Sequence, residues 1–495
     1  MKQKLYLSLS FAFFAGSVAA LGQAPWSLWF LTIIGFFFSF CILKACSNYK
    51  EASLTGFFTG LGYFLVSLFW IMEPFLIPGS SHKWLAPFAL FGLSAGLSLF
   101  WLVAYGVSIL ITNKYNIVFS AIVSLSAMEY IRSLAFSGFP WSLIGYTWSD
   151  HPIMQLSSII GPHGLTLFTL LLAGSPFLQI KILIVRLFFP VFLLLIAWTY
   201  GYVTENEIYS NKSANLVRLV QPNAPQHEKW TEAQIPVFWK RQLDFTQMPS
   251  IAPLDLIIWP ETSVSVPLNE AAGLLKAISE ASSNVPTIIG INDLVDESIR
   301  NTMALIGAEG ILLEKFHKQK LVPFGEYIPL GEWLSDKGIS GLAARDGAGY
   351  QAGTGERILR IPDVGYAIPL ICYELIFPSN VRAEVRPNMI IQITNDAWFG
   401  RFVGPYQHLA QAKFRAVEQA LPVIRAANTG ISAIIDSKGK IVAQTRLNEA
   451  TYLDAYIPSA GPKTLYTKFA DWPIIIFLTL ALGKLILSRK IMIKD

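Results

Sequence analysis

The sequence predicts a membrane-embedded helical bundle followed by an α/β domain outside the membrane. Of its 495 residues, 53% are hydrophobic and only 14% are charged, whereas about 25% are charged in an average soluble protein. The deficit is concentrated in residues 1–200, while residues 201–465 alternate short β-like runs with helical stretches. We therefore expect a bundle over 1–200, a folded domain over 201–465, and a last span with a tail over 466–495.

Eight apolar segments are candidates for membrane-spanning helices. A spanning helix needs about 20 mostly apolar residues. The candidates are 5–21, 26–43, 55–76, 86–111, 117–134, 156–178, 181–200 and 472–488. The first segment follows Lys2 and Lys4 like a signal peptide, but further apolar runs follow it at once, which favours a retained span. Seven spans thus precede the polar region and one follows it.

The basic residues predict the orientation of these spans. With a cytoplasmic N-terminus, the loops on that side hold Lys44, Lys50, Lys114, Lys181, Arg186, Lys484, Arg489, Lys490 and Lys494. The opposite loops hold little beyond Lys83, with Arg132 near a boundary. Because cytoplasmic loops are enriched in Lys and Arg, residues 201–471 are expected outside the cytoplasm. The net charge of +5 suggests neither a nucleic acid nor an acidic partner.

The fifth predicted span and the loop after it carry unusual residues. Glu129 and Arg132 stand three positions apart on a helix, so they can form a structural ion pair, or they can handle a substrate. The loop 136–148 is rich in aromatic residues and glycine. It is either an interfacial aromatic belt or a surface shared by lipid and the outer domain.

Cys372 is the only cysteine of the outer domain, because Cys41 and Cys46 lie at the cytoplasmic end of the second span. An unpaired thiol in an oxidising compartment is a liability unless it is used or shielded. Cys372 follows a predicted strand over Gly365–Ile371 and precedes a predicted helix over Glu374–Val385. A helix dipole behind the thiol would favour the nucleophilic thiolate. The alternative is a small buried core residue.

Two other stretches supply acid–base groups. A predicted strand over Leu254–Trp259 ends in Pro260 and delivers Glu261, which is suited to take a proton from a thiol. A loop-rich segment carries Lys318 and Glu326. A lysine can stabilise a thiolate and the oxyanion of a tetrahedral intermediate, and Glu326 can hold this lysine or assist the base. Alternatively, each carboxylate is a solvated turn residue.

Four motifs in this order resemble the nitrilase superfamily and, within it, bacterial apolipoprotein N-acyltransferases. They are Trp-Pro-Glu-Thr (259–262), Lys-x-x-Leu-Val-Pro-Phe-Gly-Glu (318–326), Cys-Tyr-Glu (372–374) and Thr-Asn-Asp-Ala-Trp-Phe-Gly (394–400). The resemblance covers nearly the whole chain. It implies a nitrilase-like α-β-β-α sandwich in the outer domain, where periodicity alone gives only α/β or α+β.

The resemblance also implies the site. It assigns catalysis to Glu261, Lys318 and Cys372, selecting Lys318 over its neighbour Lys320. Supporting roles fall to Glu326, Tyr373 and Glu374, although Glu374 can instead cap the following helix. Substrate-binding positions are Trp230, Asn395 and Trp398. The histidines at 227, 317 and 408 lack metal-ligand spacing, so we expect neither a metal nor another cofactor.

The activity implied is acyl transfer from a glycerophospholipid, through a thioester on Cys372, to the α-amine of the N-terminal diacylglyceryl-cysteine of an apolipoprotein. The outer domain would then be periplasmic, on a multi-pass protein of the bacterial inner membrane with both termini in the cytoplasm. One alternative is a membrane-tethered amidase or nitrilase that hydrolyses a small C–N bond with the same residues. The other is a non-enzymatic membrane scaffold, which the intact acid–base set argues against.

The segment between Glu326 and Cys372 suggests a lid. Residues 327–342 carry Trp333, Leu334, Ile339 and Leu342 among glycines at 331, 338 and 341. Glycines supply hinge freedom, and apolar side chains on an outer domain need a partner such as lipid. The segment is therefore either a mobile, membrane-facing lid over 327–350 or a short helix packed on the domain.

Overall fold

The computed structural model describes residues 2–112, 116–179, 182–207, 215–329, 349–381, 383 and 385–492. The proposed lid residues Trp333, Leu334, Ile339 and Leu342 lie outside the described residues. The α-helices are α1 (Lys2–Ala20), α2 (Trp29–Ala45), α3 (Tyr49–Ser67), α4 (Glu73–Leu76), α5 (Ala86–Leu110), α6 (Ile117–Arg132), α7 (Ser157–Gly174), α8 (Leu183–Glu205), α9 (Ile235–Gln247), α10 (Ala272–Ala281), α11 (Gly404–Gln419), α12 (Leu465–Phe469) and α13 (Trp472–Met492).

Helices occupy all eight segments that the sequence predicts as spans. In the described part of the chain, four helical stretches are long and apolar enough to cross a membrane: Lys83–Leu110, Pro152–Phe177, Ile184–Glu205 and Trp472–Arg489. A fifth is the pair Tyr49–Ser67 and Phe69–Leu76, bent by 65°. Helix α2, with 17 residues, is shorter. The number of eight spans therefore stays a prediction.

The bundle turns apolar side chains outward and small polar ones inward. Phe38, Phe88 and Leu480 are exposed on its surface, whereas Ser39 and Thr59 are buried and joined by a 2.9 Å hydrogen bond. In water such an arrangement would be costly, because exposed apolar area is disfavoured. It is typical of helices whose outer face meets lipid, where small polar residues allow close helix contacts.

The outer domain contains two six-stranded sheets. The strands are β1 (Leu216–Gln221), β2 (Leu256–Ile258), β3 (Thr287–Val295), β4 (Ser298–Ile306), β5 (Leu312–His317), β6 (Leu359–Ile361), β7 (Gly365–Ile371), β8 (Met389–Thr394), β9 (Val423–Ala427), β10 (Ala433–Ile435), β11 (Ile441–Gln444) and β12 (Thr451–Tyr456). One sheet has the order β12-β1-β2-β3-β4-β5, and the other has the order β11-β10-β9-β8-β7-β6. Strands β1, β2 and β3 are parallel neighbours, as are β7, β8 and β9.

Alternating side chains of the central strands build the layers. Leu256 and Ile258 face the core between the sheets, while Ile257 packs on the opposite face with α10. In the second sheet Ile391 faces the shared core, while Ile390 packs with α11. Because both faces of these strands are covered, they are apolar throughout. The two sheets with outer helices confirm the predicted α-β-β-α sandwich.

The bundle and the sandwich touch through the loop after α6. Glu129 and Arg132 form the predicted ion pair at 2.8 Å with both side chains buried. The Arg132 guanidinium also donates to the carbonyl oxygens of Phe139 (2.6 Å) and Trp141 (3.1 Å), which fixes the loop. The indole Nε1 of Trp141 then donates to Gln407 Oε1 of α11 at 2.6 Å. The loop is therefore a contact surface for the outer domain.

The predicted helix over Glu374–Val385 is wrong. The described residues after β7 form two 3₁₀ turns, Cys372–Ile376 and Pro378–Asn380. Phe377 between them is extended, with φ −91° and ψ 113°, because a residue that precedes proline is pushed out of the helical region.

Candidate active site

Cys372 occupies the turn directly after β7 and is 5% exposed. Its backbone is left-handed, with φ +50°, a conformation that costs energy for a residue other than glycine. The five-residue 3₁₀ turn that begins here cannot supply the dipole of a full helix. Burial instead raises the pKa of the Cys372 thiol, and the charge of Glu261 adds to the rise while Lys318 opposes it. The expected help from a helix dipole is therefore wrong, and a thiol with a raised pKa needs a base to react.

Glu261 lies three residues beyond β2 and is 6% exposed. Both carboxylate oxygens accept hydrogen bonds. The side-chain Nδ2 of Asn301 donates to Oε1 at 2.7 Å, and the backbone N–H of Asn395 donates to Oε2 at 2.8 Å. Lys318 Nζ lies 3.4 Å from Oε1. These contacts fix the orientation of the Glu261 carboxylate, whose charge acts on the Cys372 thiol and raises its pKa.

Lys318 directly follows β5 and is buried between two carboxylates. Its Nζ lies 2.8 Å from Glu326 Oε1 and 3.4 Å from Glu261 Oε1. Burial alone would lower the pKa of Lys318, but Glu326 and Glu261 raise it well above its ordinary value. The neighbouring Lys320 points elsewhere, with its Nζ 4.8 Å from the centre of the Phe377 ring. The two carboxylates thus favour the protonated, positively charged form of Lys318.

Glu326 and Glu374 hold the loop that carries Lys318. Glu326 Oε2 accepts from the backbone N–H of Val322 at 2.8 Å, while its Oε1 binds Lys318. Glu374 is fully buried and accepts from the backbone N–H groups of Ile371 (2.9 Å) and Gln319 (2.9 Å). Its carboxylate therefore ties the turn at Cys372 to the Lys318 loop, which is more than a helix cap would do.

Tyr373 and the three predicted binding residues have different surroundings. The hydroxyl of Tyr373 donates to the carbonyl of Gly138 in the bundle loop at 3.2 Å. The side chain of Asn395 is held within the protein, since its Nδ2 donates to Gln226 and its Oδ1 accepts from Asn428. Trp230 is half-exposed and lines a cleft beside Pro260. Trp398 is partly buried against the shared core.

The site also contains residues that sequence reasoning missed. Asn301 of β4 donates to Glu261 and also lies 3.3 Å from Glu326 Oε1, so it holds both carboxylates. Lys229 Nζ lies 3.2 Å from the carbonyl oxygen of Glu261. Asn301 and Lys229 belong to none of the four motifs, so no sequence signal distinguishes them from surface residues.

The arrangement suits acyl transfer through sulfur. A neutral thiol, a carboxylate that can take its proton and a fixed ammonium group together provide nucleophile, base and oxyanion stabiliser. Among the described residues no group of three or more His, Cys, Asp or Glu side chains is placed to hold a metal ion.

Comparisons with known proteins cover both parts of the chain. The apolipoprotein N-acyltransferase N-terminal domain matches residues 15–175, and the carbon-nitrogen hydrolase family matches residues 216–462. The solved structure of XC1258 from Xanthomonas campestris, a CN-hydrolase superfamily protein, is 17% identical with a TM-score of 0.37, covering 54% of this chain and 97% of that one.

Full-length relatives are more similar. An apolipoprotein N-acyltransferase of Bradyrhizobium diazoefficiens is 34% identical, over 94% of this chain and 92% of that protein. The enzyme of the same name from Rickettsia bellii is 35% identical, over 88% of this chain and 89% of that protein. Because this similarity runs through the bundle and the sandwich alike, the chain belongs to the apolipoprotein N-acyltransferase family.

Proposed function

We propose that this protein transfers an acyl chain from a glycerophospholipid to the α-amine of the N-terminal diacylglyceryl-cysteine of an apolipoprotein. The observation that carries the proposal is the cluster of Glu261, Lys318 and Cys372, whose neighbour Tyr373 contacts the apolar bundle. The relatives bear the name of this activity. A membrane bundle joined to a thiol acyltransferase site suits two substrates that are both anchored in lipid.

In the first half-reaction, Glu261 takes the proton from Cys372 Sγ as the sulfur attacks the ester carbonyl carbon of the phospholipid. The oxyanion of the tetrahedral intermediate is stabilised by the Lys318 ammonium group. The ester C–O bond then breaks, and the departing lysophospholipid oxygen receives the proton from Glu261. The acyl group is left as a thioester on Cys372.

In the second half-reaction, the acceptor amine attacks the thioester carbonyl carbon and gives a proton to Glu261. Lys318 again stabilises the oxyanion. The C–S bond breaks, the Cys372 sulfur takes the proton back, and the amide is released. An amine attacks only through its unprotonated nitrogen and must lose a proton as the amide forms. Glu261 can take this proton, so the same carboxylate acts as base and then as acid in both half-reactions.

The remaining site residues have supporting roles in this proposal. Glu326 holds Lys318, and Glu374 fixes the turn of the nucleophile. Tyr373 joins that turn to the bundle loop. Trp230, Asn395 and Trp398 form the substrate-binding side, where Asn395 acts through its backbone hydrogen bond to Glu261.

The proposal includes a topology. Residues 1–200 form seven spans, residues 201–465 form a periplasmic nitrilase-like catalytic domain, and residues 466–495 form an eighth span with a cytoplasmic tail. Both termini then lie in the cytoplasm of a bacterium, and the enzyme resides in the inner membrane. The contrast between apolar helix surfaces and the paired sheets supports this division.

Mass spectrometry of the intact protein tests the chemistry. The full chain in detergent is mixed with phospholipid without acceptor, and we expect one acyl group on Cys372 with an equal amount of released lysophospholipid. The Cys372→Ala variant should gain no acyl group, while the Cys41→Ala/Cys46→Ala variant should behave like the parent. Product formation only when donor and acceptor are both present, without acyl-enzyme, would contradict the two-step mechanism.

The same experiment separates acyl transfer from hydrolysis. A transferase should keep its thioester until an amine-bearing lipopeptide is added, which then becomes N-acylated. A membrane-tethered amidase would use water instead and release free fatty acid continuously. Continuous fatty acid release without amide formation would favour the amidase.

A further inference from the structure

A buried polar chain lies behind Cys372, separate from the acid–base cluster. Its members are Gln392 of β8, Asp396 in the turn after β8, His408 of α11 and Arg425 of β9. Each side chain is at most 1% exposed. Burying polar and charged groups is costly unless each is paired, so a chain of two charged and two polar side chains needs a reason at this place.

This series of hydrogen-bonded side chains ends at the backbone carbonyl of Cys372. Gln392 Nε2 lies 3.3 Å from the Cys372 carbonyl oxygen and 3.0 Å from His408 Nε2. His408 Nδ1 lies 3.0 Å from Asp396 Oδ1. The guanidinium of Arg425 donates to Gln392 Oε1 and to Asp396 Oδ2.

These contacts determine where the protons are. Arg425 can only donate, so the oxygen of the Gln392 amide faces it and the NH₂ group faces His408 and Cys372. The two N–H bonds of this NH₂ group then serve the Cys372 carbonyl oxygen and His408 Nε2, which lie 3.2 Å apart. In this arrangement Nε2 accepts and the ring proton is on Nδ1, which lies 3.0 Å from Asp396 Oδ1 and 3.3 Å from Arg425 Nη2. Burial and the charge of Arg425 lower the pKa of His408, in agreement with a neutral ring. Burial opposes ionisation of Asp396, but Arg425 and His408 lower its pKa to about 2.

Cys372 needs such support because its backbone is strained. A left-handed non-glycine residue persists only where its surroundings over-determine it. The Gln392 amide supplies a donor to the carbonyl of this residue, and the ring of His408 fixes that amide. The ring itself packs against Phe399 (5.4 Å) and against Trp141 of the bundle loop (5.7 Å). Aromatic side chains thus hold the histidine in one orientation.

We propose that Gln392, His408 and Asp396 are positioning residues that hold Cys372 in its left-handed conformation, so that the thiol stays aligned with Glu261. The inference rests on the proposed role of Cys372 as nucleophile. Asp396 selects the histidine tautomer, the histidine orients the glutamine amide, and the amide fixes the peptide of the nucleophile. A misplacement of about 1 Å at a reacting group can cost about 100-fold in rate.

His408→Phe tests this chain, because phenylalanine keeps the ring packing and removes both ring nitrogens. The full-length protein also carries Cys41→Ala and Cys46→Ala, so that only Cys372 reacts with iodoacetamide. We expect the rates of alkylation and of acyl-enzyme formation to fall about 10- to 100-fold, while KM for phospholipid changes less than about twofold. His408→Gln, which can still accept from Gln392, should recover much of the rate. His82→Phe, at an exposed histidine, is the matched control.

Asp396→Asn provides a second variant if His408→Phe does not fold. An asparagine amide that donates to Nδ1 moves the ring proton to Nε2, which lies 3.0 Å from the Gln392 NH₂ group and 3.2 Å from the Cys372 carbonyl oxygen. The ring proton then repels the Gln392 amide from its place at this carbonyl, and alkylation should slow to a similar extent. Unchanged alkylation and acylation rates in either folded variant would overturn the proposal. The proposal would also be overturned if the acylation rate fell only in parallel with a rise in KM for phospholipid and a lower denaturation midpoint. A parent protein that is alkylated but never acylated would instead overturn the proposed function.

Discussion

At the scale of single residues, burial decides the state of Cys372. The backbone turn supplies too few aligned peptide groups to stabilise a thiolate, whereas burial and the charge of Glu261 both raise the thiol pKa. A thiol that stays neutral is protected from oxidation, since the thiolate is the reactive form. In the proposed mechanism Glu261 takes the proton of this thiol, so we expect reactivity to be limited to substrates that reach the cluster.

Lys318→Met should make Cys372 still less reactive. The lysine charge opposes the rise in the thiol pKa, so its removal raises that pKa further and lowers the thiolate fraction at any fixed pH. Each unit of pKa lowers this fraction about tenfold. Alkylation by iodoacetamide, followed between pH 7 and 10 in the Cys41→Ala/Cys46→Ala background, should shift to higher pH. Lys320→Met is the matched control, and equal profiles for the two variants would contradict the assignment of Lys318.

Cys372→Ser should be almost inactive although serine is nearly the same size. A hydroxyl group is much harder to deprotonate than a thiol, and the burial that raises the thiol pKa also disfavours an alkoxide. We expect acyl transfer to fall by more than about 1000-fold, measured as N-acylated lipopeptide. Activity of Cys372→Ala together with inactivity of the Cys41→Ala/Cys46→Ala protein would mean that the nucleophile is a different cysteine.

The sequence could predict site residues that end a strand or belong to a motif. Glu261, Lys318 and Cys372 each follow a strand, and strand ends bring side chains from distant segments to one edge. Asn301 and His408 could not be found in this way. Their function depends on partners that the fold brings close, such as Glu326 for Asn301, which is 25 positions away in the chain.

At the scale of elements, the apolar runs of the sequence predict seven of the eight central strands and one of the four edge strands. The predicted ranges are 214–220, 254–259, 286–291, 302–307, 365–371, 389–394, 431–435 and 452–456, and the last of them corresponds to the edge strand β12. The bounds of β7 and β8 agree with the prediction residue by residue. Strands β5, β6 and β11 were missed, and all three lie at sheet edges. Edge strands are short or partly exposed, so their apolar pattern is weak. The missed central strand β9 carries Arg425, a buried charge that interrupts an otherwise apolar run.

Gly138→Ala should disturb the contact between the bundle loop and the nucleophile turn. Gly138 has φ +75°, and an added Cβ would lie 2.4 Å from the Ser133 carbonyl oxygen and 3.2 Å from the Phe377 ring. We expect a loss of about 1–3 kcal/mol in the free energy of unfolding and slower acyl-enzyme formation, because the Gly138 carbonyl also accepts from Tyr373. Denaturation midpoints and single-turnover acylation measure the two effects.

Gly92→Ala is the control for this change. It lies in α5, and an added Cβ there has nothing within 4 Å. Alanine favours the helix over glycine by about 0.5–1 kcal/mol, so this change should keep or raise the free energy of unfolding. If the two alanine variants unfold and react alike, the loop does not constrain the nucleophile turn.

At the scale of the whole molecule, the bundle and the sandwich share one apolar core. A continuous cluster of buried side chains includes Trp70 and Trp141 of the bundle part, Phe399, Tyr373 and Cys372. Two further hydrogen bonds join the bundle part to the sandwich: Gln155 donates to the Lys438 carbonyl (2.7 Å), and Lys413 donates to Asp150 (2.7 Å). Cys372, the proposed nucleophile, is therefore built against the apolar bundle, as the proposed reaction of lipid-anchored substrates requires.

The number of membrane spans differs between the sequence prediction and the helices of the structure that meet a length and hydropathy criterion. Hydropathy predicts eight spans, whereas four helical stretches, or five with the bent pair, are long and apolar enough among the described residues. Helix α6 has 16 residues and contains the buried Glu129–Arg132 pair, which lowers its hydropathy while the pair itself is satisfied inside the protein. Helix packing can thus retain a span that a length criterion rejects.

An even number of spans predicts that both termini lie on the same side, and labelling can test this in the full chain. In a background without Cys41, Cys46 and Cys372, one cysteine replaces the exposed Gln247 of α9, and in a second protein one cysteine is added after Asp495. In the proposed topology the sandwich lies outside the cytoplasm, so a membrane-impermeant maleimide applied to spheroplasts should label Gln247→Cys at once. The added terminal cysteine should be labelled only after permeabilisation, because Lys484 and Arg489 keep that end of α13 in the cytoplasm. Labelling of both cysteines in intact spheroplasts would place the tail outside and contradict the eighth span.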